Sequence, residues 1–163
     1  MRGFIQLVAI GAAVAASPVQ AATCWNDTSY QAAQLRDFDT MLMVQTLRCR
    51  INDIDFSSDY NRFVRDKRVV LAGANKDLRS KFAESVGEAR ALGAYDDFSI
   101  KIANGYGAGK TGMNCKDYAA LARAAASAPV ARAAIVALAE DAGSSPPVPG
   151  RRCDTRVALR EGK

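Results

Sequence analysis

Residues 29–50 read SYQAAQLRDFDTMLMVQTLRCR, and this stretch decides the fold class. Leu35, Phe38, Leu42 and Cys49 recur at helical spacing on one side, while Met41, Met43, Val44 and Leu47 point elsewhere. The second half is therefore apolar nearly all round, as in a central helix with neighbours on several sides. Asp27, Thr28 or Ser29 is placed to cap it, so a helix is expected from about Ser29 to about Arg50. Neither proline nor glycine interrupts it.

Outward from this helix the chain repeats the helical period, and no region sustains the apolar–polar alternation of a strand. A second helix is expected from a cap at Ser57, Ser58 or Asp59 to about Ser85. Its seam is Tyr60, Val64, Leu71, Ala74 and Leu78, interrupted by Lys67, whose stem is expected on apolar surface with its ammonium in water. A third spans Glu88 to Asn104 with Tyr95, Phe98 and Ile102 inward. A fourth starts near Asn114 and carries Tyr118, Leu121 and Ala125. A fifth restarts at Ser127-Ala128-Pro129, proline being tolerated in a first turn, and runs to about Ala142 with Ile135, Leu138 and Ala139. The prolines of 144–150 forbid helix and read as an extended connector. A basic tail follows, with Arg151, Arg152, Arg156, Arg160 and Lys163. The fold class is thus all-α: a single-domain bundle of about five helices over residues 22–143, with 144–163 as connector and tail.

The opening residues have the pattern of a secretory leader. Arg2 supplies the positive start, Phe4 to Ala16 the apolar run, and Val19 and Ala21 the small residues before a cut. Cleavage is expected after Ala21, which makes residues 1–21 a signal peptide. The apolar run is shorter than the ~20 residues of a bilayer span, so export to the periplasm is expected rather than anchoring. No transmembrane span is expected once the leader is gone.

Four cysteines in an exported chain imply two disulfides. Their wide spacing argues against a zinc site, where ligands come as close pairs. The pairing follows from the first helix. Cys24 precedes it and Cys49 lies near its end, and about twenty helical residues span ~30 Å. A disulfide needs Cα atoms within ~7 Å, so Cys24 cannot reach Cys49. In an up-and-down bundle Cys115, opening the fourth helix, lies at the same end as Cys49. Cys153 follows the connector, which can run back to Cys24. The expected pairs are Cys49–Cys115 and Cys24–Cys153, the second tying the tail to the bundle.

The chain contains no histidine. That excludes Ser–His–Asp and Cys–His nucleophiles, imidazole metal ligands and a histidine pH switch. The glycine-rich stretch Asn104 to Thr111 ends like a phosphate-binding loop, but asparagine stands where the first glycine belongs and the stretch follows a helix rather than a strand. It reads as a flexible helix-to-helix turn. The close acid pairs Asp37/Asp39, Asp53/Asp55, Asp96/Asp97 and Glu140/Asp141 do not share a helix face. Glu84-Ser85 with Gly93-Ala94 resembles elements of lytic transglycosylases, though the spacing departs from that family and the rest of its signature is missing. Glu84 is the acid a cell-wall glycosidase would use here. No catalytic residue, cofactor or metal is expected.

The net charge of the full chain is +5. In the second helix Arg62, Arg65, Arg68, Lys76 and Arg79 fall within about a third of the circumference of a straight helix. Such a stripe suits an acidic envelope protein or an anionic polymer. Nucleic acid needs a denser basic patch and a shared compartment.

Three stretches carry a resemblance: Cys24-Trp25; Arg36-Asp37-Phe38-Asp39-Thr40-Met41-Leu42-Met43-Val44 leading to Leu47-Arg48-Cys49; and Tyr60-Asn61-Arg62-Phe63-Val64. Together they resemble an uncharacterised family of exported alphaproteobacterial proteins, sphingomonad ones in particular. The resemblance covers mainly the first half of the exported chain, with Cys115 fitting more loosely. It implies a periplasmic address and no catalytic residues. The expected function is therefore non-catalytic: binding another macromolecule or supporting the envelope. The alternative is an inhibitor or immunity-type protein against an exported enzyme or toxin.

Overall fold

A computed structural model describes residues 24–110 and 112–153. The leader, the tail residues Arg156, Arg160 and Lys163, and Thr111 lie outside the described residues. Six helices follow one another: α1 (Asp27–Arg50), α2 (Ser57–Asp66), α3 (Arg68–Val86), α4 (Glu88–Gly105), α5 (Cys115–Ser127) and α6 (Arg132–Asp141). An isolated bridge between Trp25 and Arg152 is the extended pairing among the described residues.

α1 is the axis and packs against all five other helices. It starts two residues before the expected Ser29, because Asn26 is its cap, the side chain accepting from the Ser29 N–H. Leu35, Phe38, Met41, Leu42 and Cys49 are fully buried. The expectation of burial all round fails at Met43 and Leu47, which are 40 % and 62 % exposed. With Ile51 they form a stripe at i, i+4, i+8 that no other helix covers among the described residues.

The expected second helix is two. Lys67 (φ −100°, ψ 13°) ends α2 and precedes α3, which raises the helix number from five to six. Hydrogen bonds from Lys67 N–H to Phe63 and from Leu71 N–H to Lys67 run across the joint, so the chain bends without a loop. The bend lets α2 lie on α5 while α3 lies on α4 and α1. Its ammonium does not reach water as expected. Lys67 is 3 % exposed and donates to the carbonyl oxygen of Ala126, 3.1 Å away in the last turn of α5. A carbonyl there has no intrahelical donor, and a cation is favoured at that end of the helix dipole.

α3 and α4 form a hairpin with a single corner residue, Gly87 (φ 83°, ψ 153°), in backbone territory that is essentially glycine's alone. Tyr95, Phe98 and Ile102 of α4 face inward as expected. α5 opens with a capping box between Asn114 and Asp117. Tyr118 and Ala125 are buried as expected, whereas Leu121 is half-buried.

The last helix does not restart at Pro129. Ala128, before the proline, is extended (φ −62°, ψ 156°), as residues preceding proline are. α6 begins only at Arg132. It ends in a Schellman pattern: Ser144 N–H donates to Ala139, Gly143 N–H to Glu140, and Gly143 takes φ 66°.

Residues 144–153 then run as an extended strap. Trp25 holds its far end, with N–H to Arg151, carbonyl oxygen to the Cys153 N–H, and indole Nε1 to the Pro149 carbonyl oxygen at 2.7 Å. Both expected disulfides are present. Cys24–Cys153 ties the strap to the start of α1, and Cys49–Cys115 joins the end of α1 to the start of α5, with Cα separations of 4.9 and 5.5 Å. Two such bonds belong to an oxidising, non-cytoplasmic compartment. Among the described residues no helix is long and apolar enough to cross a membrane.

Candidate functional site

The bend at Lys67 divides the five basic residues. Arg62 and Arg65 belong to α2 and are ion-paired, Arg62 to Asp59 at 2.9 Å and Arg65 to Asp66 at 3.1 Å. Arg68 is exposed at the first residue of α3. Lys76 and Arg79 lie one turn apart farther along α3, and both line a groove of about 610 Å³ between α3 and α4. A continuous stripe requires a straight helix, so the structure brings Lys76 and Arg79 to one groove and leaves Arg62, Arg65 and Arg68 off it.

Beside Arg79 of the groove lies Tyr95 of α4. Its ring is buried, and its hydroxyl donates to Asn75 Oδ1 of α3 at 3.2 Å. The guanidinium of Arg79 lies 5.1 Å from the ring centroid and that of Arg36, from α1, 5.7 Å. Each such contact contributes ~0.5–1 kcal/mol at an exposed site, and together they hold two cations beside one ring. Arg36 is tied back by Asp39 at 3.8 Å and Ser99 Oγ at 3.3 Å. Among the described residues neither Lys76 nor Arg79 is ion-paired; Glu88, the groove's lining carboxylate, pairs with neither. The exposed side chain of Leu92 adds an apolar edge. Sequence reading missed the contacts of Arg36 and Arg79 with Tyr95, since the three lie on different helices and only packing joins them.

A second polar cluster is internal. Asp37 is buried on α1 and accepts from the Tyr106 hydroxyl at 2.8 Å and from Ser144 Oγ at 2.6 Å. Burial pushes its carboxyl above the ordinary 3.8, against the opposing pull of Ser144, Tyr106 and Lys110. Burial, and then the Asp37 charge, push the Tyr106 phenol up, so it remains a donor. Gln45 donates to the Tyr106 carbonyl oxygen at 2.8 Å and accepts from Arg48 at 2.7 Å. Lys110 Nζ donates to the carbonyl oxygens of Ala142 and Gly143 beyond α6. Tyr106 and Lys110 of the glycine-rich turn are therefore bonded to α1 and to the end of α6. Its lysine is spent on the end of a helix rather than aimed at an open loop.

Asp39 is the neighbour of Asp37 in sequence but not in function. It accepts from the Tyr60 hydroxyl at 3.2 Å, and burial raises its carboxyl while Arg36 lowers it. Glu84 is exposed and pairs with Lys81 at 3.4 Å. Asp77, which lines the same small cavity two turns earlier on α3, is held by Arg132. Among the described residues no three His, Cys, Asp or Glu side chains gather as a metal site.

No protein-family model, curated protein or solved structure matches this chain. What the protein does is therefore argued from its own geometry.

Proposed function

We propose that this is a non-catalytic periplasmic protein that binds an acidic segment of an envelope protein in the α3/α4 groove. The observation that carries the reading is the pair Lys76 and Arg79, exposed and unpaired among the described residues on one wall of a groove whose other wall offers Ala91 and Leu92, with the buried ring of Tyr95 beside Arg79. An acidic partner gains two unspent cations there, and the ring holds Arg79 in place beforehand, which lowers the ordering cost of binding. Arg62 is paired with Asp59, which it shares with Arg123, and Arg65 with Asp66, and none of them lines the groove.

The periplasmic address rests on the leader pattern and the disulfides. Intact mass of the exported protein, beginning at Ala22, checks it. The binding reading is tested with an acidic peptide and an anionic polysaccharide. Binding of the peptide is expected to weaken with salt and to fall at least tenfold in Lys76→Glu/Arg79→Glu, whereas Arg62→Glu/Arg65→Glu leaves it within twofold. Equal losses in both double variants, or equal affinity for the polysaccharide, overturn it. A second reading, an inhibitor or immunity-type partner of an exported enzyme or toxin, uses the same groove. It is favoured by the two disulfides, which tie the strap and α5 to the two ends of α1.

A further inference from the structure

A different face of the α3/α4 hairpin carries a chamber of about 480 Å³ under the strap. Phe82, Ser85, Val86, Ala94 and Phe98 line it on the hairpin side, its floor, and Pro147 and Pro149 on the strap side, its roof. The floor is backed by Trp25, whose ring lies 5.7 Å from that of Phe82 and 6.4 Å from that of Phe98. The chamber stays open for a physical reason. Pro146 is buried and anchors the strap, while the fixed φ of the prolines at 146, 147 and 149 keeps it extended. It is also fastened at both ends, by Ser144 on Asp37 and by Cys153 on Cys24.

The mouth is charged in a particular way. Asp97 and Lys101 line it from α4, four residues apart, where side chains lie ~5–6 Å from each other at Cβ. Both are exposed, and among the described residues no ion pair joins them. Lys101 and Pro147 also border an adjoining cavity of about 280 Å³ that contains Asp37 and Tyr106. The chamber therefore offers an apolar interior behind one carboxylate and one ammonium, both available.

We propose that this chamber binds a single-chain zwitterionic amphiphile, with the apolar chain between the aromatic floor and the proline roof, the cationic end of the head at Asp97 and the anionic end at Lys101. A purely anionic head is repelled by Asp97 and a purely cationic one by Lys101. Only a head carrying both signs satisfies the two together. The site is separate from the Lys76/Arg79 groove and does not depend on that reading.

Trp25 is the only tryptophan of the chain and reports on the chamber floor. The oxidised protein is titrated with dodecylphosphocholine below its micelle concentration, followed by Trp25 fluorescence and calorimetry. Dodecanoate and dodecyltrimethylammonium serve as the anionic and cationic comparisons. Saturable one-to-one binding of the zwitterion is expected, at least fivefold tighter than either comparison. Ala94→Phe, which fills the chamber, should weaken it at least tenfold. Lys101→Glu changes an exposed side chain and should shift the preference at least fivefold toward the cationic amphiphile. The proposal is overturned by absent saturation, by equal affinity for the three heads, or by unaltered selectivity in Lys101→Glu. Unaltered binding in a folded Ala94→Phe overturns it too. If Ala94→Phe does not fold, the Lys101→Glu result decides.

Discussion

The ammonium of Lys67 lies 3.1 Å from the carbonyl oxygen of Ala126, across 59 residues of chain. This contact stands at the joint where α2 ends and α3 begins, and it satisfies the end of α5. Lys67→Met keeps the length and apolar stem of the side chain but leaves the carbonyl without its donor. Loss of a buried partner costs ~1–3 kcal/mol, so urea unfolding should show a destabilisation of that size with helix content unchanged. A Lys67→Met protein as stable as the parent would mean that packing of the stem, not the hydrogen bond, holds the joint.

The two disulfides should differ little in their worth. Cys24–Cys153 spans 129 residues and Cys49–Cys115 spans 66. Removing a native disulfide from a small secreted domain costs ~2–5 kcal/mol. The twofold difference in loop length adds only ~0.6 kcal/mol. Cys24→Ser/Cys153→Ser and Cys49→Ser/Cys115→Ser are therefore expected to melt within a few degrees of each other. Only the first should release the strap and expose Trp25, read as a red shift in its emission. A red shift in the second variant alone would reverse that assignment.

The pairing of the cysteines was legible in two steps: an uninterrupted helix keeps Cys24 and Cys49 apart whatever surrounds it, and an up-and-down helix order then sets Cys115 beside Cys49. Helix starts were legible within a few residues where local chemistry sets them, as at Asn114. The joint at Lys67 was not, because no proline or glycine marks it and the group it serves is in another helix. The alignment of the basic stripe assumed a straight axis, which the joint at Lys67 interrupts. Arg36 and Tyr95 escaped notice because they lie on different helices. Their contact, and that of Arg79 with the same ring, exists only once α1, α3 and α4 have packed.

Gly87 and Gly73 make opposite predictions from one substitution. A Cβ on either would meet no atom within 4 Å, so steric crowding plays no part. Gly87 sits at φ 83°, ψ 153°, where a side chain costs ~1–3 kcal/mol. Gly73 sits inside α3, where alanine is favoured by ~0.5–1 kcal/mol. Gly87→Ala should lower the melting temperature and Gly73→Ala raise it. Equal shifts of the same sign would contradict the corner conformation at Gly87.

Asp37 gives the fold a pH dependence whose sign is opposite to that of a salt-bridged acid. Burial raises its folded-state pKa above the ordinary 3.8, and the bonds from Ser144 and Tyr106 offset this only in part. The folded protein then holds a proton that the unfolded chain releases, so stability falls as pH rises from 3.8 through the raised value. Asp39, raised by burial as well, acts in the same direction. Asp37→Asn cannot ionise and lacks the Asp37 part of that slope. The melting temperature of the parent minus that of Asp37→Asn should be largest near pH 4 and shrink toward pH 7. A difference that instead grows with pH would mean that the Ser144 and Tyr106 hydroxyls and the Lys110 charge favour the carboxylate by more than burial disfavours it. The Asp37 cluster would then be an anion site rather than a buried acid.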